Sequence, residues 1–200
     1  TLQIARNINT GLKRVAPGQA EQLDRGLESL TNRMYQRLFG DRLVALIGGE
    51  TLEQLALNGT LFDFLETNEL DDVPLIDVLG GWLAEAEPFR GAQMICYHKN
   101  WAYFEDRFQV RCADYVEAKP GISPTPGHVA QLITRMRDEG LGVLLAATYF
   151  DRRSVDAVAK RGNATVVHAP LSPGAVEGVD DYFSLVDIWV EELARAFVNQ

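Results

Sequence analysis

Four short apolar segments in the second half of the chain constrain the fold more than any other feature. They are AQMICY, VRCADYVE, GVLLAAT and ATVVHAP, and segments with helical periodicity lie between them. Strand-length runs that alternate with helices predict βαβ units and a parallel sheet. Nearly continuous apolar runs such as GVLLAA are typical of strands covered on both faces. The predicted fold class is therefore α/β, with a parallel four-stranded sheet and flanking helices.

The first ninety residues have a different, almost entirely helical pattern. Residues 1–40 predict a helix pair, whose first member carries an apolar stripe and whose second is long and amphipathic, ending at Gly40. Residues 41–90 predict shorter helices that end on glycines, and the helical segment PLIDVLGGWLAEAEPF after the acidic turn LDDVP. The chain is thus predicted to have three parts: the helix pair 1–40, a helical insertion 41–90, and an α/β domain 91–200.

Composition argues against two classes of partner. The formal net charge is −9, and no basic run offers the footprint that nucleic-acid binding needs. No apolar run approaches the roughly 20 residues of a membrane span. The sequence shows neither an initiator Met nor a signal sequence, and it opens directly in a helical pattern. We therefore expect a processed chain, or a fragment that lacks its upstream part.

Cys96 and Cys112 are the only cysteines, and each lies in a predicted strand. Two cysteines are too few for a disulfide framework, and a cysteine in a strand usually packs as a small apolar residue. A disulfide would require the two strands to be neighbours and to meet a narrow geometric window. The sequence therefore favours two unbridged cysteines.

Polar side chains stand where the predicted strands end, and parallel sheets bind ligands beyond the carboxyl ends of their strands. His98 follows the first strand, Glu117 ends the second and Tyr149 follows the third. A neutral imidazole is a common zinc ligand and a common general base. A hydrogen-bonded structural histidine remains the alternative for His98. Glu117 and Tyr149 are interpreted as pocket-lining or loop residues, and Asp181 as a further pocket-lining residue.

Asp180 and Asp181 precede the last helical segment, where aspartate is a preferred N-cap. One carboxylate is expected to cap the helix while the other faces the crevice. Among the remaining candidates, His128 is predicted on a solvated first turn and His168 as a satisfied histidine of a strand. Three aromatic residues at helical spacing are predicted to pack on the sheet, namely Trp101, Tyr103 and Phe104. The sequence has no nucleotide-binding or hydrolase motif.

Four segments in order resemble the substrate-binding proteins of zinc and manganese ABC transporters. They are IARNINTGLKRVAPGQAEQLDRGLESLTNRM, YHKNWAYFEDRF, EAKPGISPTPGHVAQLI and GVDDYFSLVD. The resemblance implies the C-terminal lobe of a two-lobe receptor, preceded by the long backbone helix that joins the lobes. It places metal ligands at His98 and Asp180, with Asp181 as the less favoured neighbour.

The resemblance further implies a receptor and not an enzyme. Such a receptor captures Zn²⁺ or Mn²⁺ between its lobes in the periplasm or another extracytoplasmic space, and delivers the ion to a membrane permease. The family's N-terminal lobe, expected to supply further metal ligands, has no counterpart in these 200 residues. Residues 41–90 are also longer than the family's usual link, and we expect a helical cover or a partner-docking surface there.

Two other functions remain open on the residues alone. The first is a small α/β enzyme that uses His98 as general base, oriented by Asp180 or Glu117. The second is a non-catalytic interaction module whose acidic helical segment binds a partner while the sheet serves as a scaffold. Selectivity between zinc and manganese depends on geometry, because both ions accept nitrogen and oxygen ligands.

Overall fold

The computed structural model describes residues 2–117, 119 and 121–199. Thr1, Ala118, Pro120 and Gln200 lie outside the described residues, and Ala118 and Pro120 belong to the segment EAKPGISPTPGHVAQLI that carries part of the family resemblance. The chain divides into two compact units, residues 1–84 and 85–200. The three-part division with boundaries at residues 40 and 90 stays a prediction. Within the described residues, no helix combines the length and apolarity needed to cross a membrane.

The first unit consists of helices and one small hairpin. Its helices are α1 (Leu2–Val15), α2 (Ala20–Phe39), α3 (Asp41–Ile47), α4 (Gly49–Leu57), α5 (Leu61–Thr67) and α6 (Gly81–Glu85). Short 3-10 helices span Pro17–Gln19 and Leu75–Val78. In the hairpin, β1 (Glu69–Leu70) pairs antiparallel with β2 (Val73–Pro74). The stretch LDDVP therefore forms a hairpin, because Asp71 and Asp72 both take left-handed conformations that suit a two-residue turn.

One predicted helical segment, PLIDVLGGWLAEAEPF, is wrong as a continuous element. The structure breaks it into the 3-10 helix Leu75–Val78, α6 and the 3-10 helix Glu87–Phe89. The break lies at Gly80, whose N–H donates to the carbonyl of Phe39 at 2.9 Å. A Cβ added to Gly40 would lie only 2.7 Å from the Cα of Gly80, so the two backbones touch. A glycine at both positions permits this close approach of the two backbones. The approach interrupts the helical segment at Gly80.

The second unit contains the predicted parallel sheet. Its strands are β3 (Gln93–Cys96), β4 (Arg111–Tyr115), β5 (Val143–Ala147) and β6 (Thr165–Ala169), in the spatial order β4-β3-β5-β6. Its helices are α7 (Ala102–Phe108), α8 (Pro126–Asp138), α9 (Arg152–Gly162) and α10 (Tyr182–Val198). All strand pairs are parallel. The α/β class and the four-stranded parallel sheet are therefore confirmed.

Helices cover the sheet and one of its edges. Every residue of β5 is buried, as expected for a central strand with helices on both faces. On one face, residues of α8 and α9 such as Met136 and Val155 pack with Ile95 and Leu144. The edge strand β4 is bound by α8, because Arg135 Nη1 donates to the carbonyl of Ala113 at 3.1 Å. This contact occupies an edge acceptor that would otherwise be open to another strand.

His128 also bonds to this edge, which corrects its predicted place on a solvated face. Its ring Nε2 lies 2.9 Å from the carbonyl oxygen of Tyr115, and the side chain is half-buried. Thr125 caps α8, because its hydroxyl oxygen accepts from the backbone N–H of His128. His128 therefore turns toward the end of β4, while residues 125–127 before it are exposed.

The aromatic residues after His98 only partly follow the prediction. Trp101 and Phe104 are buried, and Trp101 meets Trp189 of α10 edge to face at 5.3 Å. Phe104 stacks on Phe89 at 6.1 Å, so these rings pack on neighbouring helices. Tyr103 is 93% exposed, and its predicted packing on the sheet is wrong. The reason is helical geometry, because residues 101, 104 and 108 share one face and position 103 does not.

The expectation of two unbridged cysteines is wrong, because Cys96 and Cys112 form a disulfide. The strand order places β3 beside β4, and the two Cα atoms are 5.5 Å apart. Both cysteines are buried. The neighbour condition stated for the bridge is thus met by the topology, which the sequence alone does not reveal.

Candidate functional site

The order of the strands places a crevice at the carboxyl ends of β3 and β5. From β3 the chain crosses to β4 on one side, and then crosses back over β3 to β5 and β6 on the other. Ligands bind in parallel sheets at such a switch in strand order. His98 follows β3, and Tyr149 and Phe150 follow β5. The ring of Phe150 meets the imidazole of His98 edge to face, with centroids 6.2 Å apart.

The imidazole of His98 is held in one orientation by the backbone. Its Nδ1 lies 3.0 Å from the carbonyl oxygen of Glu117, at the end of β4. A carbonyl can only accept, so Nδ1 carries the hydrogen and Nε2 carries the lone pair. Nε2 has no hydrogen-bond partner among the described residues. Metal-binding histidines show this arrangement, in which the second ring nitrogen is fixed by a backbone or carboxylate oxygen.

The two adjacent aspartates have different surroundings. Asp181 is the N-cap of α10, and its Oδ1 accepts from the backbone N–H of Ser184 at 2.8 Å. The Ser184 hydroxyl oxygen in turn accepts from the backbone N–H groups of Asp180 and Asp181. The carboxylate of Asp180 is exposed and has no partner within the part of the chain that the structure describes. One aspartate caps the helix and the other leaves its carboxylate available.

Asp180 is tied to the same edge of the sheet as His98. It ends the loop that leaves the carboxyl end of β6. Trp189 Nε1 donates to the carbonyl of Pro170 at 2.6 Å, which fixes α10 against the start of that loop. The indole of Trp189 also contacts Trp101, three residues after His98. The last helix is thus anchored close to the segment that follows β3.

The residues predicted to line a pocket have structural partners of their own. Glu117 Oε1 accepts from the backbone N–H of Gly121 at 2.9 Å, which closes the loop after β4. Tyr149 is 63% exposed, and its hydroxyl accepts from Asn100 Nδ2 at 3.0 Å. The structure therefore brings His98, Asn100, Glu117, Tyr149 and Phe150 together at the crevice.

Two carboxylates, those of Glu117 and Asp151, lie near the crevice. The pKa of the Tyr97 hydroxyl is raised, first by burial and then by the charges of Glu117 and Asp151. The pKa of Asp151 is lowered, because its carboxylate accepts from the side chain and backbone of Ser154 at the start of α9. Asp151 is therefore a helix cap that stays ionised. Fixed carboxylates at this edge favour a cationic ligand over an anionic one.

Two side chains at this edge of the sheet carry atoms of the kind that bind divalent metal ions. His98 offers a neutral imidazole nitrogen and Asp180 a carboxylate oxygen, and zinc and manganese accept both. No group of three or more His, Cys, Asp and Glu side chains in the described chain is arranged to hold a metal ion. A four-coordinate site built here would need further ligands from outside these residues.

Several contributors to the site carry no signal in the sequence. The carbonyl of Glu117 orients His98, and a backbone acceptor is available at every residue. Asn100 has no motif that would have identified it. The role of Asp181 could have been found, because an Asp followed three residues later by Ser matches the reciprocal hydrogen bonds of a capping box.

His168 has no part in the crevice. It lies in β6, and its Nε2 is 3.5 Å from Asp156 Oδ1 of α9. Its buried Nδ1 has no hydrogen-bond partner among the described residues. The prediction of a satisfied strand histidine is therefore only partly met.

Comparison with solved structures supports this architecture. A crystal structure titled as ZnuA superposes with a TM-score of 0.59 and 18% sequence identity, covering 95% of this chain and 55% of that one. A manganese-bound periplasmic metal binding protein from Candidatus Liberibacter asiaticus superposes with a TM-score of 0.58 and 13% identity, covering 98% and 59%. At these identities the likeness establishes the fold alone.

Comparison of sequences establishes the family. The high-affinity zinc uptake system protein ZnuA of Brucella abortus (strain 2308) is 26% identical over 104 residues, which are 52% of this chain. The match spans 31% of that relative's length. The family described as "ZnuA: Zinc-uptake complex component A periplasmic" matches residues 79–196, more than half of the chain and the whole of the sheet with its crevice. The chain therefore belongs to the ZnuA family of periplasmic zinc-uptake components.

Proposed function

We propose that this chain supplies one half of the metal site of a receptor that captures Zn²⁺ or Mn²⁺ and passes it to the permease of an ABC transporter. The observation that carries the proposal is the orientation of His98, whose Nδ1 is engaged by a backbone carbonyl so that Nε2 is free. Asp180 supplies the second ligand through its unpartnered carboxylate. The remaining ligands come from a further lobe of the receptor.

The family and the chemistry of the crevice both favour binding over catalysis. The ZnuA family is a family of transport receptors. In the second unit, His98 has a backbone carbonyl as its orienting partner, whereas the histidine base of a catalytic triad is oriented by a carboxylate. The ion is the cargo of such a receptor, so this half-site needs to hold it reversibly. Two ligands from one lobe allow release when the lobes separate.

The disulfide supports a location outside the cytoplasm. Disulfides persist in oxidising compartments such as the periplasm and are rare where glutathione and thioredoxin keep thiols reduced. The bridge between Cys96 and Cys112 is therefore consistent with a periplasmic receptor. The permease partner follows from the same placement, since a periplasmic receptor has to deliver its ion to a protein in the membrane.

The ligand assignment is tested by titrating the whole receptor with zinc and with manganese. Binding is measured by calorimetry or by competition with a chromophoric chelator. His98→Ala and Asp180→Asn should each weaken binding at least 10-fold, because the first removes the donor nitrogen and the second replaces a charged carboxylate by a neutral amide, which is a weaker ligand for a divalent cation. His128→Ala and Asp181→Asn are matched controls. The first removes a histidine with a backbone hydrogen bond outside the crevice, and the second keeps an oxygen that can cap α10.

Two results would contradict the assignment. Unchanged affinity in His98→Ala would remove His98 from the site. A larger loss in Asp181→Asn than in Asp180→Asn would exchange the roles of the two aspartates. Circular dichroism of each variant establishes that the comparison is made between folded proteins.

A further inference from the structure

The disulfide lies in the two strands that end at the candidate metal site. Cys96 is the last residue of β3, and His98 follows it by two positions. Cys112 lies in β4, and Glu117 follows the end of that strand by two positions. The disulfide therefore joins the strand that carries the histidine to the strand that carries its hydrogen-bond acceptor.

The pairing of these strands is irregular where the disulfide crosses it. Met94 lies opposite Cys112, but the next residue, Ile95, lies opposite Asp114, so that Ala113 is an extra residue in β4. A bulge of this kind interrupts the ladder of hydrogen bonds. Among the described residues, β4 is an edge strand and pairs with β3 alone. Without a second neighbour, its register depends on this interrupted ladder and on the covalent link.

A short series of hydrogen bonds leads from the disulfide to the imidazole. The N–H of Val116 donates to the carbonyl of Cys96 at 3.0 Å, and the N–H of Glu117 donates to that of Tyr97 at 2.8 Å. His98 Nδ1 then donates to the carbonyl of Glu117 at 3.0 Å. A displacement of β4 along β3 would break these bonds, and the imidazole would lose both its orientation and its fixed tautomer.

Other contacts keep β4 attached when the disulfide is opened. Arg135 of α8 donates to the carbonyl of Ala113 and to Asp114 Oδ2, and His128 bonds to the carbonyl of Tyr115. These contacts bind β4 to α8, whereas the register of β4 against β3 depends on the interrupted ladder and on the disulfide. Opening the disulfide therefore affects alignment more than attachment.

We infer that the disulfide between Cys96 and Cys112 is a positioning element of the metal site, which keeps His98 Nε2 directed to the ion. This inference rests on the proposed function. Its consequence is that a dithiol reductant lowers the metal affinity of the receptor. When a dithiol reacts, the Cys96–Cys112 bond breaks, each cysteine gains a hydrogen, and the reductant's two thiols become a disulfide. We expect zinc affinity to fall about 10-fold, as when a partner that orients a metal-binding histidine is lost.

The test uses the whole receptor with Cys96→Ala and Cys112→Ala combined, since this variant has no thiol that could itself bind zinc. The control is Val167→Ala, which removes buried atoms from β6 at the opposite edge of the sheet and leaves the disulfide intact. The first readout is the tautomer of His98 from ¹H–¹⁵N imidazole correlations in the metal-free protein. The second is zinc affinity by chelator competition.

Support requires the double variant to show mixed tautomers of His98 and zinc binding about 10-fold weaker, while Val167→Ala keeps the Nδ1–H tautomer and the affinity of the parent. A single Nδ1–H tautomer and parental affinity in the folded double variant would overturn the inference. Should the double alanine variant fail to fold, Cys96→Val with Cys112→Ala refills the core and is judged by the same two readouts.

The outcome for the proposed function is separate. If His98→Ala weakens zinc binding and the double cysteine variant does not, only the positioning role fails. If His98→Ala leaves zinc binding unchanged, the ligand assignment fails, and the tautomer of His98 still decides whether the disulfide orients the ring.

Discussion

Different interactions stabilise the interior of each of the two units. In the second unit the sheet provides the core, and the central strand β5 is buried along its whole length. In the first unit α1 has an apolar stripe that is largely exposed, with Ile4 63%, Ile8 56% and Val15 79% exposed. An apolar stripe in a sequence therefore predicts a helix reliably, but it does not tell which surface, if any, of the same unit covers it.

Hydrogen bonds and ion pairs attach α1 to α2 and α4, because most of its apolar stripe makes no buried contact. Asn9 is buried and donates to Asp24 Oδ1 of α2 at 2.8 Å, and Lys13 bonds to the same carboxylate. Arg6 reaches Glu53 of α4, which is itself buried and accepts from the hydroxyl of Tyr35 at 2.8 Å. Such networks are specific in geometry but contribute less per contact than a buried aliphatic side chain.

The largest difference in the free energy of unfolding is expected between a substitution in the central strand β5 and one in the exposed apolar stripe of α1. Leu144 in β5 is fully buried, so Leu144→Ala should reduce the free energy of unfolding by about 2–5 kcal/mol, through lost transfer energy and a new cavity. Ile8→Ala should change it by less than about 0.5 kcal/mol, because that side chain is mostly in solvent. Urea unfolding of both variants measures the difference. A loss of 2 kcal/mol or more at Ile8 would show that the stripe is covered in solution.

The disulfide provides a second contrast, because all cysteines lie in the sheet unit. The bridge closes a loop with a sequence separation of 16, and a loop of this size corresponds to about 3 kcal/mol of stabilisation. Thermal unfolding with and without a reductant should show a shift in the transition of the second unit. The helical transition, followed at Trp82, should not move. Equal shifts in both transitions would mean that the two units unfold as one.

The success of the sequence prediction follows the same division. All four strands and the four helices of the second unit were predicted, because a sheet covered on both faces requires apolar runs of strand length. The prediction is less accurate in the first unit, at places where a contact between two backbone segments determines where a helix ends. The break at Gly80 depends on its contact with Gly40, forty residues earlier, and the sequence of PLIDVLGGWL does not contain that information.

The site shows what sequence can and cannot supply. The position of His98 at a strand end was predictable, since it depends only on where the apolar run stops. Its orientation was not, because it depends on the carbonyl of Glu117 and hence on the register of β4. The disulfide was missed for the same reason, since neighbouring strands are a property of topology. Asp181 differs from Asp180 through its reciprocal hydrogen bonds with Ser184, a pattern that the spacing of Asp181 and Ser184 in the sequence already contains.

Alkaline pH tests the polar network of the first unit. The pKa of Tyr35 is raised from 10 to about 12, first by burial and then by its hydrogen bond to Glu53. The folded protein keeps this proton above pH 10 while the unfolded chain releases it, so the free energy of unfolding is unaffected below pH 10. It should fall by about 2–3 kcal/mol as pH rises to 12, since one pKa unit corresponds to about 1.4 kcal/mol.

Tyr35→Phe separates this contribution from the rest of the alkaline transition. The variant should lose about 1 kcal/mol at neutral pH with the hydrogen bond, and should show a weaker pH dependence above pH 10. Tyr97 and Tyr115 also have raised pKa values, so some dependence remains. Tyrosinate absorbance measures the titration directly. An unchanged alkaline profile in the Phe variant would place the high-pKa tyrosine in the sheet unit.

The smallest expected effects distinguish two kinds of glycine in the helical unit. Gly81 has a left-handed backbone with φ of 59°, and a Cβ there would lie 2.3 Å from the carbonyl oxygen of Arg37. Gly81→Ala should therefore cost about 1–3 kcal/mol. Gly26 lies in the exposed middle of α2 with no atom within 4 Å of an added Cβ, so Gly26→Ala should add about 0.5–1 kcal/mol.

The two substitutions add the same methyl group, so their difference in urea unfolding isolates the effect of the backbone contact. A loss in Gly26→Ala would mean that α2 is covered at this point, in the way that the exposed stripe of α1 would be covered if Ile8→Ala proved costly. A neutral Gly81→Ala would mean that the chain can move away from Arg37. In that case the close backbone approach near Gly40 and Gly80 would contribute little to the stability of the helical unit. The hydrogen bonds and ion pairs between α1, α2 and α4 would then be the more important interactions.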